Sequence, residues 1–406
     1  MKHKALLFLC CFLAFNLVKA QENSSNLDSI YSKTLNEQRQ FWVKLPEGYN
    51  PENKAKYPVI YLLDGVSLKN NLVTVYDNYW GHYLPNMILV GISNQPNRTR
   101  DLTTSKVTSR RGASFNNETG GADNFATFIK TELIPFIDAN YKTSQYRTLI
   151  GHSYAGLFTI NMLINHAESF TNYIAIDPSL DWDGQKLLKT AKTQLQSKNY
   201  NNKGLFMSLA AEQLHMFDSS ITMENIEADT SEFTLFARSI IDFAKTAESN
   251  PQNGLRFSWK VYPEDLHGTV PLPSLRDGLV ELFKWFQFVN PPKYNNPETT
   301  VAELKALLKT QGEIYTKNFG EPTPPMIEEL FSGYGYMNLQ MGQPEKSKLF
   351  FSEYIKYYPK SAAAYEGMSD YCSSQKDTEN ALKYMKMAFE ISKSDYHKEK
   401  IKKLKK

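Results

Sequence analysis

Y-R-T-L-I-G-H-S-Y-A-G-L-F, residues Tyr146 to Phe158, is the stretch around which the chain is organised. Thr148, Leu149 and Ile150 make a short apolar strand that runs into Gly151-His152-Ser153-Tyr154-Ala155-Gly156, and an apolar helical pattern follows at once. A strand–turn–helix passage of this kind holds a serine at a tight, strained turn with its hydroxyl exposed. Small residues are then required two positions before the serine and two or three after it, and Gly151, Ala155 and Gly156 supply them. Ala155 stands where the G-x-S-x-G pattern has its second glycine. The plain alternative is a glycine-bounded strand end whose serine caps the helix.

Working outward, Tyr57 to Leu63 and Met87 to Ile92 are near-continuous apolar runs, as expected of strands covered on both faces. Ile30 to Val43 alternates and predicts opening antiparallel strands, with Phe41, Val43 and Leu45 on one face. Phe125, Phe128, Ile129, Leu133 and Ile134 fall at helical spacing between Asp123 and Ile137. Beyond the central stretch, strands are predicted at Tyr173 to Ile176, Gly204 to Leu209 and Phe257 to Tyr262, with helical stretches between. This alternation predicts an α/β architecture with a mainly parallel sheet. Ligands bind outside the carboxyl ends of such strands. Asp64-Gly65, Arg98 to Asp101, Ser153, Asp177-Pro178-Ser179, Glu212 and His267 all fall at or after those ends.

A serine nucleophile needs a base within reach and a carboxylate to orient it. When the serine comes first in the chain, the order is Ser, acid, His. His152 lies inside the turn, with its side chain expected to point away from Ser153. His166 belongs to the following helix, His82 precedes the serine and His397 lies in the C-terminal region. Of His215 and His267, the latter sits in the loop after the last strand and is the expected base. The carboxylates between serine and histidine include Asp177, Asp181, Asp183, Glu212, Asp218 and Asp265, and the acid is expected in the loop after the penultimate strand, where Glu212 leads and Asp218 follows. Two backbone N–H groups must face the developing oxyanion. Tyr154 is expected to give one, and Gly65 or Val66 the other. Arg98 and Arg100 are candidates for holding an anionic or catechol-like part of a substrate, against the simpler reading of an ion pair with Asp101. The sequence holds no metal cluster, phosphate loop or dinucleotide fingerprint, so no metal and no cofactor are expected.

The N-terminal segment predicts a cleaved leader over residues 1–20: Lys2 and Lys4, then a run from Ala5 to Val18 that is apolar except for Asn16 and ends in Val18-Lys19-Ala20. The run is too short to span a bilayer. Without Lys2, Lys4 and Lys19, 43 basic residues face 43 acidic ones, which argues against nucleic acid as a partner. Of three cysteines only Cys372 lies outside the leader, so no internal disulfide forms. A periplasmic or secreted protein is expected.

Asn290 to Pro297 reads as a linker, with boundaries at 21–290 for the catalytic domain, 291–299 for the linker and 300–406 for an all-α region. That region repeats with a period of about 34 residues, the tetratricopeptide spacing. One unit starts at Glu328 and the next at Ala362. Gly335, Gly342, Ser347, Phe351 and Pro359 stand at the small, aromatic and proline positions of the first, and Tyr365, Met368, Ala381 and Ala388 at those of the second. The alternative is a plain helical bundle. Two repeats are too few for independent stability, so they are expected to lean on the catalytic domain or a second chain through Phe350, Tyr354, Tyr357 and Tyr358, and to offer a surface to a protein partner.

From Ile30 to Phe288 the chain resembles the putative esterase family of α/β-hydrolases, most closely its siderophore-esterase-like branch. The resemblance rests on Leu45-Pro46-Glu47-Gly48-Tyr49, Tyr57 to Gly65, Asn97 to Thr103, Gly120 to Phe125, the Ser153 turn, Pro178-Ser179-Leu180 and His267-Gly268. It implies an α/β-hydrolase fold, a small-molecule ester substrate, Ser153 as nucleophile and His267 as base. It leaves the acid open, since members of this branch vary there and some resemble Ser–His dyads. Asp177 departs from the serine seen in many relatives and is expected to add a charge near the pocket. A different class of function, a catalytically inactive hydrolase fold that presents partners through its repeats, is opposed by the intact Ser153/His267 pair.

Overall fold

In the computed structural model, residues 27–49, 51, 56–110 and 113–405 are described, so the expected leader lies outside the described residues. Strands β1 (Asp28–Ser32), β2 (Glu37–Lys44), β3 (Tyr57–Leu62) and β4 (Ile88–Ile92) come first. A small hairpin of β5 (Ser109–Arg110) and β6 (Ala113–Ser114) follows, outside the main sheet. Then come β7 (Thr143–His152), β8 (Asn172–Ile176), β9 (Gly204–Ala210) and β10 (Arg256–Tyr262). The main sheet has the order β1-β2-β4-β3-β7-β8-β9-β10. β1 and β2 pair antiparallel with each other, β2 pairs antiparallel with β4, and all remaining pairs are parallel.

The apolar runs of β3, β4 and β8 are buried throughout because helices cover both faces. Side-chain alternation splits them between two cores. Val59, Tyr61 and Leu149 face Phe125, Phe128 and Phe158, whereas Ile60, Leu62 and Ile150 face Leu72, Leu275 and Leu279. The helix expected from Asp123 to Ile137 is present but broken. A π turn over Ile129–Leu133 joins Ala122–Phe128 to Ile134–Asn140. Pro135 accounts for it, lacking the N–H that would continue the ladder.

The presumed linker is not a free tether. It forms a short helix, Pro292–Asn295, whose Tyr294 is buried between Phe288 and Tyr334. Lys346 Nζ donates to the carbonyls of Asn296 and Pro297 at 3.1 and 2.6 Å. Beyond it, helices Glu328–Gln340 and Pro344–Tyr357 are followed, 34 residues on at each start, by Ala362–Ser374 and Thr378–Ser392. A Cβ at Gly335 or Gly367 would collide with the Phe351 ring, which explains why both positions are glycine.

Two of the residues expected to meet the sheet, Phe350 and Tyr354, turn inward instead. Phe350, Phe351 and Tyr354 are buried in the helical region's own core, and Tyr354 stacks on Phe331 at 5.9 Å. Helix Val301–Phe319 makes a main part of the junction. Tyr315 stacks on Phe286 at 4.7 Å and donates its hydroxyl to the Phe286 carbonyl at 2.5 Å, while Phe319 lies 4.9 Å from Trp285 and 5.5 Å from Tyr146. Tyr146 is near the start of β7, so the helices dock at the opposite end of that strand from Ser153, roughly 20 Å away at about 3.3 Å per residue.

Candidate active site

At the end of β7 the chain turns through Ser153, whose φ of 64° and ψ of −117° lie in a region that non-glycine residues rarely adopt. The surroundings enforce the turn. A Cβ at Gly151 would run into the Ala155 carbonyl, and one at Gly156 would lie 2.9 Å from Pro178 Cα. Ser153 N–H donates to the Ile176 carbonyl at 3.0 Å, and Ser179 N–H to the Ser153 carbonyl at 3.1 Å, which ties the serine to the end of β8. Its Oγ is 3.5 Å from the Ser179 Oγ.

The carboxylate paired with His267 comes from the next strand end, from Asp177 and not from Glu212, which led the sequence expectation. Asp177 follows β8 directly with a φ of 42°, and its side chain reaches across the end of β9. Oδ1 accepts the Ala210 N–H at 3.1 Å, and Oδ2 lies 2.6 Å from His267 Nδ1. The carboxyl is 1% exposed. Burial raises its pKa, and the hydrogen bond and charge interaction with His267 oppose the rise. Glu212, the residue expected in this role, is exposed two positions beyond β9, and its N–H is tied to the Asp265 carbonyl at 3.2 Å. Asp218 is exposed and accepts from the N–H and hydroxyl of Ser220. Asp265 braces the histidine loop by accepting from Thr269 Oγ1 at 2.8 Å. A carboxylate at the end of β8 thus reaches the place beside His267 that was expected for one in the loop after β9.

His267 stands in the loop after β10, its ring perpendicular to that of Phe236 with the centroids 5.5 Å apart. His152 does not point away from this centre. Its ring packs on His267 at 4.5 Å, and burial, followed by the adjacent His267, lowers its pKa to about 3, so it is neutral. Of the oxyanion candidates, Gly65 is excluded because its N–H donates to the Ile92 carbonyl at 2.8 Å. Among the described residues the N–H groups of Val66 and Tyr154 have no backbone partner, and Tyr154 opens helix Tyr154–Asn165, where the dipole also favours negative charge.

The arginines divide. Arg100 bonds Glu37 at 2.6 Å and Asp101 at 2.7 Å, and Arg39 joins both acids at 2.8 and 2.7 Å. Asp101 is fully buried in this network, so Arg100 fastens β2 to helix Arg98–Leu102 and does not face the serine. Arg98 is at the site, paired with Asp64 through Nε and Nη2 and lying 5.5 Å over the Tyr154 ring. Arg110, which sequence reasoning missed, lies over the same ring at 5.3 Å, bonds the Tyr154 hydroxyl and pairs with Asp181 at 2.9 Å. Nothing in its local sequence marks it, because the β5–β6 hairpin brings it there from 44 residues away. No group of residues suited to a metal ion occurs among the described residues, and no helix there is long and apolar enough to cross a membrane.

A strained serine, a histidine and a buried aspartate at the carboxyl ends of a mainly parallel sheet define the α/β-hydrolase class. The family model described as putative esterase matches residues 32–211. The chain is 30% identical over 206 residues to ferri-bacillibactin esterase BesA of Bacillus subtilis, covering 47% of this chain and 71% of that protein. It is 27% identical to apo-salmochelin esterase of Escherichia coli, of which it spans 46%. The crystal structure of an IroE-like serine hydrolase from Shewanella oneidensis superposes with a TM-score of 0.67 at 26% identity, covering 82% of this chain and 99% of that one. An uncharacterised protein from Capnocytophaga ochracea shares the fold over 93% of this chain and 99% of its own, at 18% identity and a TM-score of 0.58. The chain belongs to the putative esterase family of α/β-hydrolases, a family of ester hydrolases, and is siderophore-esterase-like within it.

Proposed function

We propose that the protein hydrolyses carboxylic esters through an acyl-enzyme on Ser153, with His267 as base and Asp177 as its orienting acid. The contact between His267 Nδ1 and Asp177 Oδ2 at 2.6 Å carries this reading. A carboxylate on Nδ1 fixes the tautomer with the proton there and leaves Nε2 as the atom that takes the serine proton. Attack by Ser153 Oγ on the ester carbonyl then generates an oxyanion facing the N–H groups of Tyr154 and Val66. Collapse expels the alcohol, which takes the proton from His267, and water repeats the cycle to release the acid. The names of the relatives favour siderophore-type esters as the substrate class, with acyl-sugar esters as the comparison. The leader-like N-terminal sequence supports a reaction in the periplasm or outside the cell, and the helical region is the surface offered to a protein partner.

The test is labelling by a fluorophosphonate probe, followed by hydrolysis of p-nitrophenyl esters, ferric catecholate lactones and acetylated or feruloylated sugars. Wild-type protein should label and turn over, whereas Ser153→Ala and His267→Ala should each lose on the order of 10^4 in turnover while remaining folded. An unlabelled, inactive but folded wild type would make the protein a binding module.

A further inference from the structure

Next to Ser153 lies a polar recess that the reaction above does not use. A pocket of about 210 Å³ opens at the ends of β3 and β4, lined by Asp64, Val66, Ser67, Asn94, Arg98 and His152 among others. Pockets for whole ligands run to roughly 300–1,000 Å³, so this one takes a substituent of a substrate and not all of it. Two side-chain nitrogens in its lining, Asn94 Nδ2 and His152 Nε2, are buried without a hydrogen-bond partner. Asn94 is only 2% exposed, and its amide orientation is fixed because Oδ1 accepts the Asp64 N–H at 2.9 Å. The nitrogen is therefore a donor with nothing to donate to. Such groups are rare in folded proteins and call for an explanation, of which a missing ligand is one.

The charges restrict what that ligand is. Arg98 is matched by Asp64 through a contact of 2.8 Å between Nη2 and Oδ2, backed by Nε, so the lining carries one charge of each sign. An anionic group would meet the Asp64 carboxylate, and a hydrocarbon would leave both nitrogens unpaired. A neutral group with a carbonyl oxygen satisfies Asn94 Nδ2 without adding charge. The location is equally specific, because Val66 holds a candidate oxyanion N–H and the His152 ring lies 4.5 Å from His267.

We propose that this pocket is a subsite for a neutral carbonyl-bearing substituent, an amide above all, attached close to the scissile ester. The inference rests on Ser153 being the nucleophile. It is tested with two pairs of esters of matched length. On the acyl side, the p-nitrophenyl ester of N-acetylglycine is compared with p-nitrophenyl pentanoate. On the alcohol side, acetamidoethyl butanoate is compared with pentyl butanoate. Each rate is divided by that of hydroxide hydrolysis. In one of the pairs the wild type should favour the amide by about fivefold or more in kcat/KM. Asn94→Asp keeps the oxygen that accepts from Asp64 but replaces the donor, and His152→Phe keeps a ring against His267 without its nitrogens. In both variants the ratio should fall below about twofold, whatever happens to the absolute rates. Equal wild-type rates within both pairs, or a preference undiminished in both variants, would overturn the subsite. A wild type that neither labels nor hydrolyses any ester would instead overturn the nucleophile.

Discussion

Replacing Asp177 by asparagine tests the part of the site that sequence reasoning placed elsewhere. The change is isosteric, and the amide oxygen still accepts the Ala210 N–H that Oδ1 accepts at 3.1 Å. What changes is the partner of His267. An amide nitrogen at the position of Oδ2, 2.6 Å from Nδ1, donates where the carboxylate accepted, so the imidazole must carry its proton on Nε2. In that tautomer the histidine has no lone pair for the serine proton, and the charge that stabilises the imidazolium is gone. A loss of about 10^4 in kcat is expected, equivalent to about 5.4 kcal/mol at about 1.36 kcal/mol per tenfold. Folding should not suffer. Burial raises the pKa of Asp177, so the folded state binds this proton more readily than the unfolded chain. That favourable contribution is present at low pH and disappears as pH rises through the folded value, which leaves the carboxylate as a cost at neutral pH. The variant should therefore melt no lower than wild type near pH 7. Steady-state hydrolysis of a p-nitrophenyl ester with calorimetry on the same samples measures both quantities. Asp177→Asn retaining more than a tenth of wild-type kcat, or Glu212→Gln proving the more damaging change, would refute the assignment.

Acid stability should depend on His152. Its pKa is lowered to about 3 in the folded protein, whereas the unfolded residue takes a proton below about 6.5, so stability falls as pH drops from about 6.5 towards 3, by at most about 1.4 kcal/mol per pH unit. His152→Phe should flatten that branch in denaturant titrations at stepped pH, and an unchanged slope would show that the group titrates normally. Truncation after Pro292 removes the helix that covers Trp285, Phe286 and Tyr146. The loss of packing by buried Tyr315, at about 1.5–3 kcal/mol for a fully buried large side chain, and by half-buried Phe319 should lower the melting temperature while folded material still labels at Ser153. A truncated protein as stable as the full chain would show that the junction contributes nothing.

What could be read from the sequence was what local geometry dictates. Gly151 and Gly156 mark the Ser153 turn because backbone approaches there exclude a side chain, and the apolar runs of β3, β4 and β8 mark the sheet interior because both faces are covered. The proposed acid could not be singled out, for the opposite reason. Its role depends on a φ of 42° at Asp177 and on the distance across one strand end to Ala210, neither of which leaves a periodic trace. Asp177 stood among six carboxylates between the serine and the histidine, and nothing in the spacing raised it above Glu212. The same limit applied to Arg98 and Arg100, two residues apart on one turn of helix. They face different partners, Asp64 at the site and the buried Asp101 away from it, and spacing along the chain cannot separate them. The junction with the helical region failed for another reason again. Phe350, Tyr354, Tyr315 and Phe319 are all aromatics at helical spacing, so pattern alone announces burial without naming the surface that does the burying. Only when β7 places Tyr146 at the far end from Ser153 does it follow that the helices brace the base of the nucleophile strand. On that geometry, the helical region can act on the chemistry along β7 to Ser153, or from Trp285 and Phe286 back through helix Pro271–Leu282 to the His267 loop.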